Sequence, residues 1–341
     1  MHAQYNNFLY LIQHKIPLAS EYQHFLQDFP VFKNITLSPG TRGILLALIG
    51  TALFTPIFAA GKFTDLVVPA FAIVAMRYWG GFLTSTAVVF AGGIKFRSLK
   101  SKTPHWHMFR SVLGIGGGLF TIHAATIMPI ANASAIGLTE GLIIIALGAI
   151  LLREQVTYLH WLAGGVCAVG ALVVLQGTLN IDVHQLSDSN NLEGAISAFL
   201  GALFMSSETI MLKILGSREK TMGVLLYVNA FGALLSSIPL YFVLADANIS
   251  LASVLPFLVL GPLAILAQTC NIHAYRQADV SIIGPIHYSW IIFAALLGIY
   301  MFGETPTLWT LAGSGLIVLG GIWLGCISSQ QQLRMKQNQL V

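Results

Sequence analysis

Long apolar stretches follow one another along almost the whole chain. A helix needs about 20 apolar residues to cross the roughly 30 Å hydrocarbon core of a membrane. Ten stretches are long enough, at residues 43–62, 69–93, 109–127, 132–152, 159–178, 194–214, 222–244, 253–274, 281–302 and 307–327. Each is much longer than the roughly 10 residues of a barrel strand. The pattern therefore predicts an all-α, polytopic membrane protein with ten transmembrane helices.

The composition agrees with a membrane protein. Of the 341 residues, 56% are hydrophobic and only 9% are charged, whereas soluble domains contain about 25% charged residues. This excludes a soluble enzyme, a disordered chain and a disulfide-stapled secreted domain. The net charge of +4 is too small to indicate nucleic-acid binding. The cysteines Cys167, Cys270 and Cys326 lie in apolar stretches without a CxxC motif, so we expect neither a disulfide framework nor a metal or other cofactor.

The Lys and Arg residues predict how the helices are oriented. If the N-terminus lies in the cytoplasm, all but two of the 17 Lys and Arg residues fall on the cytoplasmic side, which is the bias that membrane proteins show. The exceptions are Lys62, outside, and Arg77, within the second span. We therefore expect cytoplasmic tails at residues 1–41 and 328–341 and an external linker at residues 179–193.

The chain also repeats itself at a displacement of about 150 residues. Each half contains five spans, an odd number, so the second copy enters the membrane upside down. This predicts two inverted five-helix repeats, at residues 42–178 and 194–327, around a site at the middle of the bilayer. The matched positions include Gly50 with Gly201, Lys62 with Lys213, Gly148 with Gly298, Glu154 with Glu304, Gly165 with Gly315 and Gly170 with Gly320.

Two stretches of the chain resemble a known family. Residues 128–177 read MPIANASAIGLTEGLIIIALGAILLREQVTYLHWLAGGVCAVGALVVLQG, and residues 275–325 read YRQADVSIIGPIHYSWIIFAALLGIYMFGETPTLWTLAGSGLIVLGGIWLG. Each contains a polar turn, an apolar helix that ends in Arg-Glu or Gly-Glu, and a Gly-rich helix. The second stretch carries the pattern through Pro285, Tyr288 and Gly315. The chain resembles the drug/metabolite transporter superfamily, in its ten-span bacterial branch with two EamA domains.

The resemblance implies a transporter of the bacterial inner membrane, with the 179–193 linker in the periplasm. The half-motifs are similar to those of members that take up S-adenosylmethionine and of amino-acid and drug exporters. The first half departs from the family pattern at one place. Family members often have a proline near the middle of the fourth span, where this chain reads Thr139-Glu140-Gly141.

Acidic residues within the spans are the first candidates for a functional site. Glu140 lies about midway along the fourth span, where inserting a carboxylate costs about 3 kcal/mol. It is expected either to contact a cationic substrate or carry a proton, or to form a structural ion pair with Arg77. Glu208 follows Ser206 and Ser207 in the sixth span. It is expected either to line the substrate site or to hydrogen-bond between helices.

Polar and aromatic side chains in the eighth and ninth spans are further candidates. Gln268 and Asn271 lie in the eighth span, and Tyr288 and Trp290 lie in the ninth. Trp290 matches Glu140 in the repeat, so the two could present an aromatic and an anionic wall to a positively charged organic molecule. The alternative is that these side chains pack in the core.

Three other features of the spans carry expectations. His123 in the third span and His287 in the ninth could move protons near neutral pH, or could simply hydrogen-bond within the bundle. Pro285 is expected to break the ninth helix and open backbone groups toward a cavity. Glu154 and Glu304 end the fourth and ninth spans, and each is expected to cap the helix that follows it.

These features together predict a transporter of a small organic metabolite that works by alternating access. Because the chain has no nucleotide-binding motif, transport is expected to be secondary active, powered by an ion gradient or a substrate gradient. From the resemblance, S-adenosylmethionine, an amino acid or a drug are the substrate candidates. The expected partners are the small-molecule substrate, the lipid bilayer and protons as the coupling ion, but no nucleic acid; whether the protein forms a homodimer stays open. The alternatives are a passive channel, a structural membrane protein and an intramembrane enzyme. An intramembrane enzyme would need catalytic groups that converge, and the sequence has no HxxE pair, Ser/His/Asp set or Asp cluster, so we expect no catalysis.

Overall fold

The computed structural model describes residues 38–58, 60, 68–127, 130–178, 189–246, 251–303 and 307–338. Within these ranges the secondary structure is helical, and no strand occurs. Most of the predicted N-terminal tail and linker, together with Lys62 and Glu304, lies outside the described residues. Expectations that concern those segments therefore stay predictions.

The described ranges contain ten helical segments, in the order that the apolar stretches predict. Seven segments are continuous helices, whereas the fourth, eighth and ninth are each divided. In chain order the helices are α1 (Pro39–Phe58), α2 (Ala70–Ala91), α3 (Pro104–Ile127), α4 (Ile130–Gly137), α5 (Thr139–Leu151), α6 (Tyr158–Thr178), α7 (Ser189–Gly216), α8 (Thr221–Asp246), α9 (Leu251–Val254), α10 (Leu260–Gln277), α11 (Val280–Ile286), α12 (Trp290–Phe302) and α13 (Leu308–Asn338). The fourth segment is α4 with α5, the eighth is α9 with α10, and the ninth is α11 with α12.

Eight of these segments are long and apolar enough to cross a membrane, and α5 is a shorter apolar helix. The segment α3 is long enough, with 24 residues, but its glycine, histidine and arginine residues lower its hydropathy. Large apolar side chains are exposed on the outside of the bundle, as at Leu308, which is 83% exposed. Such a surface is suited to lipid rather than to water. The protein is a multi-pass membrane protein, and the ten-span prediction is consistent with its structure.

The same helix pair occurs twice, with the two halves of the chain exchanged. Helix α1 packs on α10, where Gly50 leaves room for the side chain of Asn271. Helix α7 packs on α3, where a Cβ atom at Gly201 would lie 2.6 Å from Thr121 Oγ1. Gly50 matches Gly201 in the repeat, and Thr121 matches Asn271. Each half therefore contributes its first helix to the third helix of the other half.

Other contacts join residues to their own counterparts. The Tyr288 hydroxyl donates a hydrogen bond to the carbonyl of Leu138, and Cys167 Sγ lies 3.7 Å from the carbonyl oxygen of Ile317. Both pairs are 150 positions apart in the chain. A residue can touch its own counterpart only near the axis that relates the two copies. The axis therefore passes between the divisions of the fourth and ninth spans, at Leu138 and Tyr288, and between α6 and α13.

The two repeats also share an unusual backbone conformation after the fourth span of each half. Arg153 has a φ of 54° and Gly303 has a φ of 66°. This left-handed conformation is common for glycine at a helix end but uncommon for other residues. Because the two positions match at a displacement of 150, the repeats share local geometry as well as helix order.

Candidate substrate-binding site

Glu140 lies at the centre of the candidate site, in the first turn of α5 directly after the division of the fourth span. Its side chain is half-buried. Among the described residues, its carboxylate has no hydrogen-bond or ion-pair partner, although the Ser206 hydroxyl donates to its backbone carbonyl at 3.1 Å. Glu208 lies two residues after Ser206 in the same helix, α7, so α7 places a second carboxylate on the helix that contacts Glu140. Glu140 is thus an unpaired carboxylate in the interior of a membrane protein, which is typical of functional positions.

Glu208 has a partner that the sequence did not predict. The Arg110 guanidinium donates from Nε to Glu208 Oε1 at 2.6 Å, and the Arg110 side chain is only 3% exposed. Gly114, one turn further along α3, makes room for the Tyr78 hydroxyl, because a Cβ atom there would lie 2.9 Å from it, and the same Cβ would lie at an ordinary contact distance of 3.7 Å from Glu208 Cγ. In the sequence Arg110 stands at the beginning of the third apolar stretch, a position that indicates a cytoplasmic charge. The sequence signal for the ion pair was Glu208 itself, because a carboxylate within a span needs a cation as a partner.

Aromatic side chains from the second half complete the cluster. The Tyr275 hydroxyl lies 3.5 Å from His287 Nε2, and the two rings meet edge to face. Tyr288 packs against Gly141, one residue after Glu140, and its hydroxyl donates to the carbonyl of Leu138, two residues before Glu140. The structure thus places Glu140, Glu208, His287 and Tyr288 together, as parts of one polar region. Tyr275 was missed because an inward tyrosine has no distinctive sequence signal.

Among the described residues, three other predicted side chains form no hydrogen bond or ion pair with Glu140 or Glu208. His123 contacts Glu193 at 3.1 Å near the end of α3, and these side chains are 49% and 65% exposed. The Arg77 guanidinium lies over the ring of Tyr78, 4.0 Å from its centroid. The predicted ion pair between Arg77 and Glu140 is therefore not formed in this structure, because Arg77 stacks on its neighbour instead. Trp290, at the start of α12, is 36% exposed.

Gln268 and Asn271 are buried in α10, next to α1. Their side-chain oxygens are buried and have no hydrogen-bond partner among the described residues. Such groups are costly, and a ligand or water could satisfy them. Pro285 lies within α11, and the helix changes to a single 3₁₀ turn two residues later, at His287–Ser289. The ninth span is thus interrupted close to the proline.

One end of the bundle is closed by contacts between the two repeats. We call this end the basic face; it contains residues 94–103, 152–157, 217–220 and 278–279. Glu154 accepts hydrogen bonds from the backbone N–H groups of Val280 at 2.8 Å and Ser281 at 3.0 Å. The expectation that Glu154 caps the next helix, α6, is wrong. Glu154 instead caps α11, the first part of the ninth span, in the other half of the chain. Lys213 donates to the carbonyl of Ala278 at 2.6 Å.

A second polar cluster at the basic face surrounds Glu219. Its carboxylate accepts hydrogen bonds from Ser101 at 2.6 Å and Thr103 at 3.1 Å, and lies 2.9 Å from His107 Nε2. Burial on its own would raise the pKa of Glu219, but the hydrogen bonds from His107, Ser101 and Thr103 outweigh it and hold this pKa below its usual value. Arg276 binds the same loop through the Glu219 carbonyl at 2.8 Å. The cluster therefore fixes the loop before α3 to the loop after α7.

The sequence of both halves identifies the family. The profile of the EamA-like transporter family matches residues 41–176 and again residues 192–326. The chain belongs to this family. The two matches cover both repeats of this EamA-like transporter, in agreement with the resemblance of the sequence to the drug/metabolite transporter superfamily.

Several bacterial transporters are similar to this EamA-like chain. The pseudopaline exporter CntI of Pseudomonas aeruginosa is 26% identical over 283 residues, which cover 83% of this chain and 95% of the exporter. A riboflavin transporter of Vibrio cholerae is 27% identical, covering 65% of this chain and 72% of that protein. An S-adenosylmethionine uptake transporter of Rickettsia felis is 22% identical, covering 83% and 91%. These relatives have different substrates.

A solved crystal structure has the same fold. Its chain aligns with this EamA-like transporter with a TM-score of 0.70 and 21% sequence identity, covering 84% of this chain and 98% of the other. At this identity the likeness concerns the arrangement of helices and not the substrate.

Proposed function

We propose that this protein is a secondary active transporter that moves a small organic metabolite across the bacterial inner membrane by alternating access, with both termini in the cytoplasm. The observation that carries the proposal is the contact between residues and their own counterparts, such as Tyr288 with Leu138. Two inverted halves that meet on an axis can exchange roles. A conformer closed at one membrane face then has an equivalent conformer closed at the other.

The contacts at the basic face support this exchange. Glu154 and Lys213 hold α11 and the end of α10 in the present conformer. Their counterparts, Glu304 and Lys62, occupy the matching positions of the other half, and an inverted repeat predicts these positions at the opposite membrane face. We infer that these counterparts close the opposite end when the basic face opens. The Lys and Arg distribution supports a cytoplasmic location of the basic face.

The charges of the site support an organic substrate with a positively charged group. Glu140 is the carboxylate without a partner in the described cluster, and Tyr288 and His287 supply aromatic surface beside it. Aromatic rings and carboxylates together suit organic cations. Because Glu140 lies in the interior, it could also exchange a proton during the cycle, which makes protons the coupling ion of this proposal.

Counterflow in proteoliposomes tests the proposal. Vesicles that contain the purified protein are loaded with an unlabelled compound and diluted into a trace of the labelled compound, using riboflavin, S-adenosylmethionine and amino acids in turn. A carrier gives saturable uptake and a transient accumulation of label for at least one compound. A passive channel gives flux that does not saturate and no accumulation, and a structural membrane protein gives none. Either result would contradict the proposal.

A further inference from the structure

The described central cluster contains two carboxylates, Glu140 and Glu208, and one guanidinium, that of Arg110. Glu140 and Glu208 lie on adjacent helices, since the hydroxyl of Ser206, two residues before Glu208, donates to the Glu140 carbonyl at 3.1 Å, and Arg110 forms its ion pair with Glu208. Two other cations with described contacts have different partners: Lys213 donates to the backbone carbonyls of Tyr275 and Ala278, and the Arg77 guanidinium stacks on the ring of Tyr78. Glu208 is therefore neutralised at short range, whereas Glu140 is not.

The burial of Arg110 makes this arrangement strongly dependent on the ion pair. Its side chain is 3% exposed, and its Nη1 atom is buried without a hydrogen-bond partner. An ion pair in such surroundings is weakly screened by water, and removal of one partner leaves an uncompensated charge. The charge of the whole cluster thus changes by one unit when either Arg110 or Glu208 is neutralised, in opposite directions.

We infer that Arg110 determines the charge preference of the substrate site, because it cancels Glu208 and leaves Glu140 as the single carboxylate available to a ligand. This inference rests on the proposed function. It specifies the substrate as an organic molecule whose group bound near Glu140 carries one positive charge. Arg110 acts through Glu208 and is a positioning residue. It does not need to touch the substrate.

The sign of each change follows from electrostatics. Replacing Arg110 by glutamine exposes the charge of Glu208, so the site should favour a cation more strongly over a neutral analogue. Replacing Glu208 by glutamine leaves Arg110 uncompensated and should shift the preference toward the neutral analogue. A unit charge about 10 Å from the ligand, at an effective dielectric constant of about 20, changes the affinity for a unit charge by roughly tenfold.

A matched pair of ligands measures this preference. S-adenosylmethionine and S-adenosylhomocysteine differ by one methyl group, which gives the first a sulfonium and one additional positive charge. Their dissociation constants are measured by calorimetry on the full chain in lipid nanodiscs. We expect the ratio of the two constants to move about tenfold toward S-adenosylmethionine in Arg110→Gln and about tenfold toward S-adenosylhomocysteine in Glu208→Gln.

Three further variants make the test specific. The double variant Arg110→Gln with Glu208→Gln should restore the wild-type ratio to within about twofold, and Arg110→Lys should retain it, because both preserve the charge of the cluster. Arg97→Gln removes a positive charge from an exposed loop position and should not change the ratio. A fold defect could weaken both ligands, but it could not reverse the sign between the two single variants.

The inference fails if the two single variants shift the ratio in the same direction, or leave it unchanged, or if the wild type binds neither ligand. This failure is distinguishable from failure of the proposed function. If counterflow of any compound is saturable while the ratio does not respond, the transporter stands and the role of Arg110 falls. If the ratio responds but no compound shows counterflow, the site stands and transport falls.

Discussion

Replacing Glu154 by alanine should release the basic face, because this one side chain holds the beginning of α11. Its carboxylate accepts two backbone hydrogen bonds, from Val280 at 2.8 Å and Ser281 at 3.0 Å. The first N–H groups of a helix have no partner within the helix. The N-cap residue of α11, Asp279, forms no side-chain hydrogen bond to these groups, so in the described structure Glu154 is the side chain that caps them.

The magnitude follows from the two bonds. Hydrogen bonds to a charged group contribute about 1.5–3 kcal/mol each, so Glu154→Ala should cost roughly 3–6 kcal/mol of stability in the closed conformer. Glu154→Gln keeps one neutral oxygen, so it should cost about half as much. Glu193→Ala is the matched control. Its contact with His123 is exposed, and exposed pairs contribute about 0–1 kcal/mol.

The purified protein is heated in detergent, and the fraction that stays monodisperse is measured at each temperature. This gives the apparent melting temperature of each variant. The expected order of stability is wild type and Glu193→Ala together, then Glu154→Gln, then Glu154→Ala. If Glu154→Ala melts with the control, the carboxylate does not hold α11, and the closed basic face has another cause.

Three other outcomes are expected. Glu140→Gln should abolish the response of transport to an imposed pH gradient in vesicles; unchanged speed and pH dependence would remove Glu140 as the proton carrier. Gly320→Val should cost about 1–3 kcal/mol by overpacking, because its Cβ would meet Cys167 Sγ and the Ala163 carbonyl, whereas Gly315→Ala has open space and should melt like the wild type. Because the pKa of Glu219 is lowered in the folded protein, its contribution to stability is complete above the ordinary carboxyl pKa of 4.5 and is lost as the pH falls through the lower folded pKa. The melting temperature of Glu219→Gln should therefore fall less on acidification than that of the wild type.

The helices and the repeat were predictable because they depend on signals within one stretch of sequence. A span is recognised by its own apolar length, and the inverted arrangement follows from an odd number of spans in each matching half. The structure adds that the fourth and ninth spans are both divided at matching places, near Leu138 and Tyr288. The proline at position 285 indicated the second division, but no such signal marks the first.

The polar contacts were less predictable because they join helices that are far apart in the chain. Arg110 and Glu208 are 98 positions apart, and the sequence around either residue does not indicate that the other is its partner. For the same reason the sequence left an ion pair with Arg77 as one alternative for Glu140, whereas in the structure Arg77 stacks on the adjacent Tyr78. Glu154 was correctly seen as a capping group, but the helix that it caps is 126 positions away.

Two spin-label distances test alternating access by inverted repeats most directly. One pair of labels is placed at residue 152 on the basic face and at residue 277, the last residue of α10 directly before that face. The other pair is placed at the counterparts of these residues in the repeat, 302 and 127, and the exposed Cys326 is replaced by serine. Both distances are measured in lipid with Glu154 intact and with Glu154→Ala. The account predicts that the first distance lengthens in the variant while the second shortens. A second distance that stays fixed, or that lengthens together with the first, would contradict it.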